Sequence, residues 1–204
     1  MVTSTREATE RVATAVRVRS DLTELDQAMA DGDLGITAGK MAAALMEYAA
    51  NAQERDLGKY LVAAGMAVNQ AASSSLGTLF AAARMRAGKE VAGKAEADEQ
   101  DLASMLNAAD LGIQELGKAK PGDKTVIDGV HPAAEAFSRA VSGGANVQEA
   151  GTRLIEAAKQ GREPLIPRRS KIGRASWVGE RTEGKLDPGC AAGVISLKVP
   201  AGRG

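Results

Sequence analysis

The sequence predicts an all-α protein, and three observations carry that prediction. Apolar residues recur at helical spacing along most of the chain. No alternation of apolar and polar residues runs for more than a few positions. The breaks between helical stretches are short and rich in Gly, Pro and Asp, as in connections between antiparallel neighbours. Composition agrees. With 44% hydrophobic and 25% charged residues, the 204-residue chain is of globular type and long enough for a sizeable core. Only Tyr48, Tyr60, Phe80, Phe137 and Trp177 are aromatic, so that core has to be made of closely packed Ala- and Leu-rich helices. One domain is expected over residues 1–204.

Taken in order, residues 5–29 read as one long helix, with Val12, Val16, Leu22, Leu25 and Met29 as its buried stripe. An aspartate-rich loop ends it. A second helix is expected over about 37–54, with Met41, Leu45 and Tyr48 on one face. A third runs over about 57–87, broken at "SSSLG", where helix propensity is poor. Residues 88–98, charged and Gly-containing, read as an exposed loop. Helices follow over 98–117, 124–142 and 146–161, separated by "KPGDKT" and "SGGAN". Residues 161–174, with two prolines and five basic residues, read as a loop crossing the surface. A last helix is expected over about 188–198, after "DPG".

Charge and cysteine content exclude several functions. Lys+Arg and Asp+Glu are 26 each, so the net charge is zero and nothing drives the whole chain toward nucleic acid or an anionic membrane. The basic run "RRSKIGR" has no interleaved aromatics for stacking on bases, and no nucleic-acid partner is expected. No stretch approaches the ~18 apolar residues of a membrane span. The charged start lacks the apolar core of a secretory signal. Cys190 has no second cysteine to pair with, which fits a reducing compartment, so a cytoplasmic location is expected. Cys190 and His131 read as a packed thiol and a structural or surface histidine. Met41, Met46, Met66, Met85 and Met105 read as core fillers.

The stretch "DQAMADGDLG" (26–35) is the one place where chemistry stands out. It gathers Asp26, Asp31 and Asp33 within eight residues, where like charges repel. A hard divalent cation, which prefers carboxylate oxygens, relieves that repulsion. Gly32 and Gly35 allow the turn that lets the carboxylates converge. An EF-hand is excluded, because position twelve is Thr37 counting from Asp26 and Ala42 counting from Asp31. The following "GITAGK" opens a helix whose free N–H groups favour an anion. Read on these residues alone, the stretch is either a metal–nucleotide site or a helix end with solvated aspartates in a turn.

Three further segments resolve the choice by resemblance. "LDQAMADGDLG", "SSSLGTLF" (73–80), "GKAKPGDKTVID" (117–128) and "GRASWVGERTEGKLDPG" (173–189) resemble, in this order, the motifs of the L subunit, the nucleotide-binding domain of dihydroxyacetone kinases. The resemblance implies a closed barrel of about eight antiparallel helices with the nucleotide at one end. It implies that Asp26, Asp31 and Asp33 hold two magnesium ions bridging the phosphates of ATP or ADP. Leu34, Gly35, Ile36 and Thr37 would approach the phosphates, Leu76, Gly77, Gly117 and Val126 the nucleotide. Arg174, Asp187, Pro188 and Gly189 would close the site, with Arg174 neutralising phosphate charge as the catalytic residue.

The chain departs from that pattern at Ala30, Leu34 and Leu76, where Gly, His and Ser are usual. The last two departures remove polar groups near the phosphates and point to looser nucleotide contacts. The resemblance further implies a kinase subunit whose ketose sits on a separate K-type subunit, so that this chain is inactive alone. The phosphoryl source would be ATP exchanging at the site, or a held ADP recharged by a phosphotransferase-system protein. A homodimer is compatible with the sequence. The alternative role is a nucleotide-binding regulatory module that controls a partner such as a transcription regulator.

Overall fold

The computed structural model describes residues 5–17, 20–29 and 32–198. The regular elements among these residues are all helices, without a strand, as the sequence predicts. The stretch expected as one helix over 5–29 is described as α1 (Thr5–Arg17) and α2 (Ser20–Met29), with residues 18 and 19 outside the described residues. Then come α3 (Leu34–Asn51), α4 (Leu57–Ala71), α5 (Ser75–Glu90), α6 (Glu99–Gly117), α7 (Ile127–Ser142), α8 (Val147–Arg162) and α9 (Pro188–Lys198). Short 3-10 segments at Glu163–Leu165 and Arg174–Thr182 lie between α8 and α9.

Capping chemistry sets the ends. Ser74 accepts from the Gly77 N–H at 3.1 Å and starts α5, so the serine run breaks the helix at 72–74, and Leu76 and Gly77 belong to the new helix. Reciprocal capping boxes, Asp98 with Asp101 and Asn146 with Glu149, start α6 and α8. α3 starts three residues earlier than expected and stops at Asn51, where Ala52 turns extended. α7 starts later than expected, because Asp128 folds residues 122–125 into a knot of their own. Its Oδ1 accepts from Gly122 N at 2.5 Å and its Oδ2 from Thr125 N at 2.7 Å. The loop expected over 88–98 begins only after Glu90, and Val91 within it is fully buried.

Each of α3 to α7 packs on the next, and α7 packs on α8. α1 lies on α3, while α9 packs on α7 and α8 and also on α1 and α2, so the run of neighbours returns to its beginning. Small residues permit the closest approach: a Cβ on Gly58 of α4 would overlap the Gly88 carbonyl of α5. The core contains Leu22, Met29, Met41, Leu45, Val68, Ile127, Phe137, Leu154, Cys190 and Val194. Of the five methionines expected inside, Met41 is buried, whereas Met46 and Met66 are 37% and 50% exposed, because both lie on outward faces of α3 and α4. The side chain of Val16 lies outside the described residues. No described helix is long and apolar enough to cross a membrane.

Candidate functional site

The ends of several helices meet where the aspartate loop joins α2 to α3. Asp26, 6% exposed in the last turn of α2, accepts the Leu34 N–H on its Oδ2 at 2.9 Å. That bond fixes where α3 starts, using an N–H that the helix itself leaves unpaired. Asp33 occupies the N-cap position of α3 and does not cap it with its side chain. Asp31 lies outside the described residues. Among the described residues no three His, Cys, Asp or Glu side chains are grouped to hold a metal ion.

Gly35 is required by packing, since a Cβ there would overlap the Thr23 hydroxyl of α2. Leu34 turns inward. It packs with Leu22, Ala38, Ala191, Ala192 and Ile195, and Leu76, Leu186 and Phe80 lie against the same cluster. Positions 34 and 76, the two places where the chain departs from the resembled pattern toward leucine, thus share one apolar cluster. Thr37 is buried and donates its N–H to Asp33 O at 3.0 Å, while Ile36 is 66% exposed.

The other expected residues gather at the same end. Gly77 sits in the first turn of α5, folded back on the end of α4, where a Cβ would overlap the Ala72 carbonyl. Gly117 ends α6 beside Leu79 of α5, at 3.3 Å from where its Cβ would be. Leu79 packs with Val126, Ile127 and Val130 at the start of α7. Val126 in turn approaches Gly189 in the first turn of α9. Pro188 opens α9 and is buried, a position where its missing N–H costs nothing. The starts of α3, α5, α7 and α9 are therefore brought together. Arg174 begins the second 3-10 segment, but its side chain lies outside the described residues.

Asp187 completes this end. Its Oδ1 accepts from Cys190 N at 2.7 Å and caps α9. Burial raises its pKa to about 7, Asp128 and Asp26 push it the same way, and the Cys190 N–H and Lys124 oppose them. The Cys190 thiol is pushed up to about 12, chiefly by burial and then by Asp187, so it is a packed, inert thiol as expected. His131 is structural too. Its Nδ1 lies 2.8 Å from Asp110 Oδ2, between α6 and α7.

Sequence reasoning missed Lys124, Asp128 and Lys185. Lys124 is 3% exposed, and its Nζ donates to Ile166 O at 2.9 Å, Arg168 O at 2.8 Å and Thr182 O at 2.6 Å. Of residues 161–174, expected as a surface loop, 161 and 162 end α8 and the rest belong to a longer excursion over 163–186 that is held inward by one buried ammonium. Lys185 Nζ donates to Ala28 O at 2.8 Å and ties the excursion to the end of α2, beside Asp26. Lys124, Asp128, Arg162, Lys185, Asp187 and Cys190 line a small cavity beneath it. Only the Gly-Asp-Lys-Thr cluster hinted at such a role, and its partners lie more than forty residues away.

Known proteins are similar to this chain. The ADP-binding subunit DhaL of the PEP-dependent dihydroxyacetone kinase 2 of Listeria innocua is 30% identical over 186 residues, covering 89% of this chain and 84% of that one. The ADP-binding subunit DhaL of the PEP-dependent dihydroxyacetone kinase of Escherichia coli is 28% identical over 183 residues, covering 88% and 86%. The crystal structure of the dihydroxyacetone kinase from C. freundii in complex with AMP-PNP and Mg2+ superposes with a TM-score of 0.71 at 23% identity, over 96% of this chain and 33% of that one, a likeness of fold. A family model described as the DAK2 domain matches residues 28–201. That match takes in the aspartate loop, α3 to α9 and the excursion anchored by Lys124, and the chain belongs to the DAK2 domain family.

Proposed function

We propose that the chain is the nucleotide-binding subunit of a dihydroxyacetone-type kinase. The observation that carries this reading is the bond from buried Asp26 to the first N–H of α3, the helix whose N-cap is Asp33. Acidic side chains and a helix N-terminus converge there beside a buried apolar floor. Two relatives bearing the name ADP-binding subunit support it. The carboxylates of Asp26, Asp31 and Asp33 are an oxygen-only donor set, which suits magnesium. Asp26, Asp31 and Asp33 would hold two ions, which neutralise charge on the nucleotide phosphates when bound.

The chain's own residues do the positioning. The first-turn N–H groups of α3 at Gly35 and Ile36, which the helix leaves unpaired, would face the phosphates, with Thr37 following in the same turn. Leu34 turns its side chain away into the core and leaves only its backbone for the ligand. Leu76, Gly77, Gly117 and Val126 form the side against the base. Asp187, Pro188 and Gly189 set the far wall, and Arg174 brings positive charge to the transferring phosphoryl group. The ketose binds a separate K-type subunit, and this chain alone phosphorylates nothing.

The test is magnesium-dependent nucleotide binding. The purified chain is denatured to identify any retained nucleotide, and ATP and ADP are then titrated with and without magnesium. Retained ADP assigns the phosphoryl source to a phosphotransferase-system protein, and reversible ATP binding assigns it to ATP. Binding lost in Asp31→Asn with Asp33→Asn supports the site. Absence of binding under every condition overturns the reading.

A further inference from the structure

Trp177 is the most exposed large apolar side chain among the described residues, at 84%. The segment that bears it is well fixed. Ser176 donates its N–H and its Oγ to Gly173 O, at 3.1 Å and 2.6 Å. Thr182 accepts the Ser170 N–H at 3.0 Å, and Arg169 pairs with both Glu180 and Glu183 at 2.5 Å. Lys124 holds the same segment from below. An indole on so fixed a segment, joining none of the apolar clusters of the core, is presented outward.

We propose that Trp177 anchors a docking surface for the protein that holds the phosphoryl acceptor, and that the matching face of that protein is an apolar socket with an acidic rim. This rests on the kinase reading above. Place is the first argument. The Arg174–Thr182 segment packs on α2, and Lys185 bonds Ala28 O two residues beyond Asp26. Trp177 therefore stands at the end where the aspartates lie. A phosphoryl group leaving that end has to meet its acceptor in a joint closed to water. Ile36, 66% exposed in the first turn of α3, adds a second apolar contact there.

Charge is the second argument. Residues 168–185 carry six basic residues and two acidic ones, a net +4 within a chain whose total is zero. Such a local field draws and orients an acidic partner. A large exposed aromatic side chain on a segment rich in arginine has the composition in which interface hot spots concentrate.

Trp177 is the chain's one tryptophan, so its fluorescence reports on this surface alone. The full chain, with magnesium and nucleotide, is mixed with a K-type subunit from the same source loaded with dihydroxyacetone. The expected result is a blue shift of the emission and loss of most iodide quenching. Trp177→Ala should weaken association by about tenfold or more. Its magnesium–nucleotide affinity and Tm should equal those of the wild type, and wild-type association should weaken as salt is raised. Trp177 still quenched by iodide in a complex that transfers phosphoryl overturns the inference, and so does Trp177→Ala associating as tightly as wild type. Nucleotide binding without association overturns this surface and leaves the nucleotide site standing. Failure to bind nucleotide removes the kinase reading instead. Burial of Trp177 by a DNA-binding regulator, with none by the K-type subunit, overturns the partner assigned here.

Discussion

The ammonium of Lys124 lies 2.6 Å from the carbonyl oxygen of Thr182, fifty-eight residues along the chain. Lys124 reaches it from a left-handed backbone (φ 61°), which turns the side chain under the excursion. Thr182 is fully buried and bonds both Ser170 N and Gly179 O through its hydroxyl. Burial lowers the Lys124 pKa, and Asp187 and Glu183 work against that lowering. The charge is tolerated because three carbonyls take its three protons.

Lys124→Met keeps most of the volume and removes all three donors. Three inward-facing carbonyls lose their partner, which costs about 3 kcal/mol or more. The loss should be confined in space, since α3 to α8 keep their contacts. We expect a lower denaturant midpoint and faster amide exchange over 166–185, with exchange in the α4 and α5 cores unchanged. Equal exchange across 166–185 in the two proteins would show that the excursion does not depend on Lys124.

Asp26 has two roles that substitution separates. Asn at this position keeps an oxygen for Leu34 N–H and removes the charge, whereas Ala removes both. Asp26→Asn should leave Tm within a few degrees of wild type and weaken magnesium-dependent nucleotide binding by tenfold or more. Asp26→Ala should lose the same binding and also about 1–2 kcal/mol of stability, as for a lost helix cap. Calorimetric titration beside thermal melts reads the two effects separately.

Gly35→Ala tests the seam between α2 and α3. The added methyl would overlap Thr23 Oγ1 and lie 3.3 Å from Thr23 Cβ. Overpacking of this kind costs about 1–3 kcal/mol. Thr23→Ala removes the hydroxyl, so the double variant should recover most of the loss. Additive losses in the double-mutant cycle would mean that the two residues do not meet.

How much of this was legible in the sequence depends on the range of the interaction. Asp98 with Asp101, and Asn146 with Glu149, act within one turn, and the helices they start fall where periodicity puts them. The Ser run marks a true break, displaced because Ser74 is worth more as a cap than as an interior residue. The aspartate, Leu76–Gly77, Gly117–Val126 and Asp187–Gly189 segments were found by motif, and the fold brings them to one end. Motif reading does not show which way a side chain points. Leu34, placed near the phosphates by motif, packs its side chain inward, and Met46 and Met66 were expected inside and face outward. Lys124 was beyond reach, because its partners follow it by 42 to 58 residues and are carbonyls, which every residue has.

Asp187 makes the stability of the protein depend on pH in a direction opposite to most carboxylates. Its pKa is raised to about 7 in the folded chain, by burial first and by Asp128 and Asp26 after it. In the unfolded chain it returns to about 3.9. Between roughly pH 4 and pH 7 the native state therefore binds a proton that the unfolded state has released, so stability falls as pH rises through that window and levels off above it. The half-buried Asp56 and Asp101, whose pKa values are lowered by hydrogen bonds, act in the other direction and at lower pH. Asp187→Asn isolates the effect, because the amide oxygen still accepts from Cys190 N and nothing ionises. The variant should match wild type near pH 4 and exceed it by a few kcal/mol at pH 8, at about 1.4 kcal/mol per pH unit of separation. Urea midpoints from pH 4 to pH 8 measure this directly, and parallel curves for the two proteins would show that Asp187 ionises as freely in the fold as outside it.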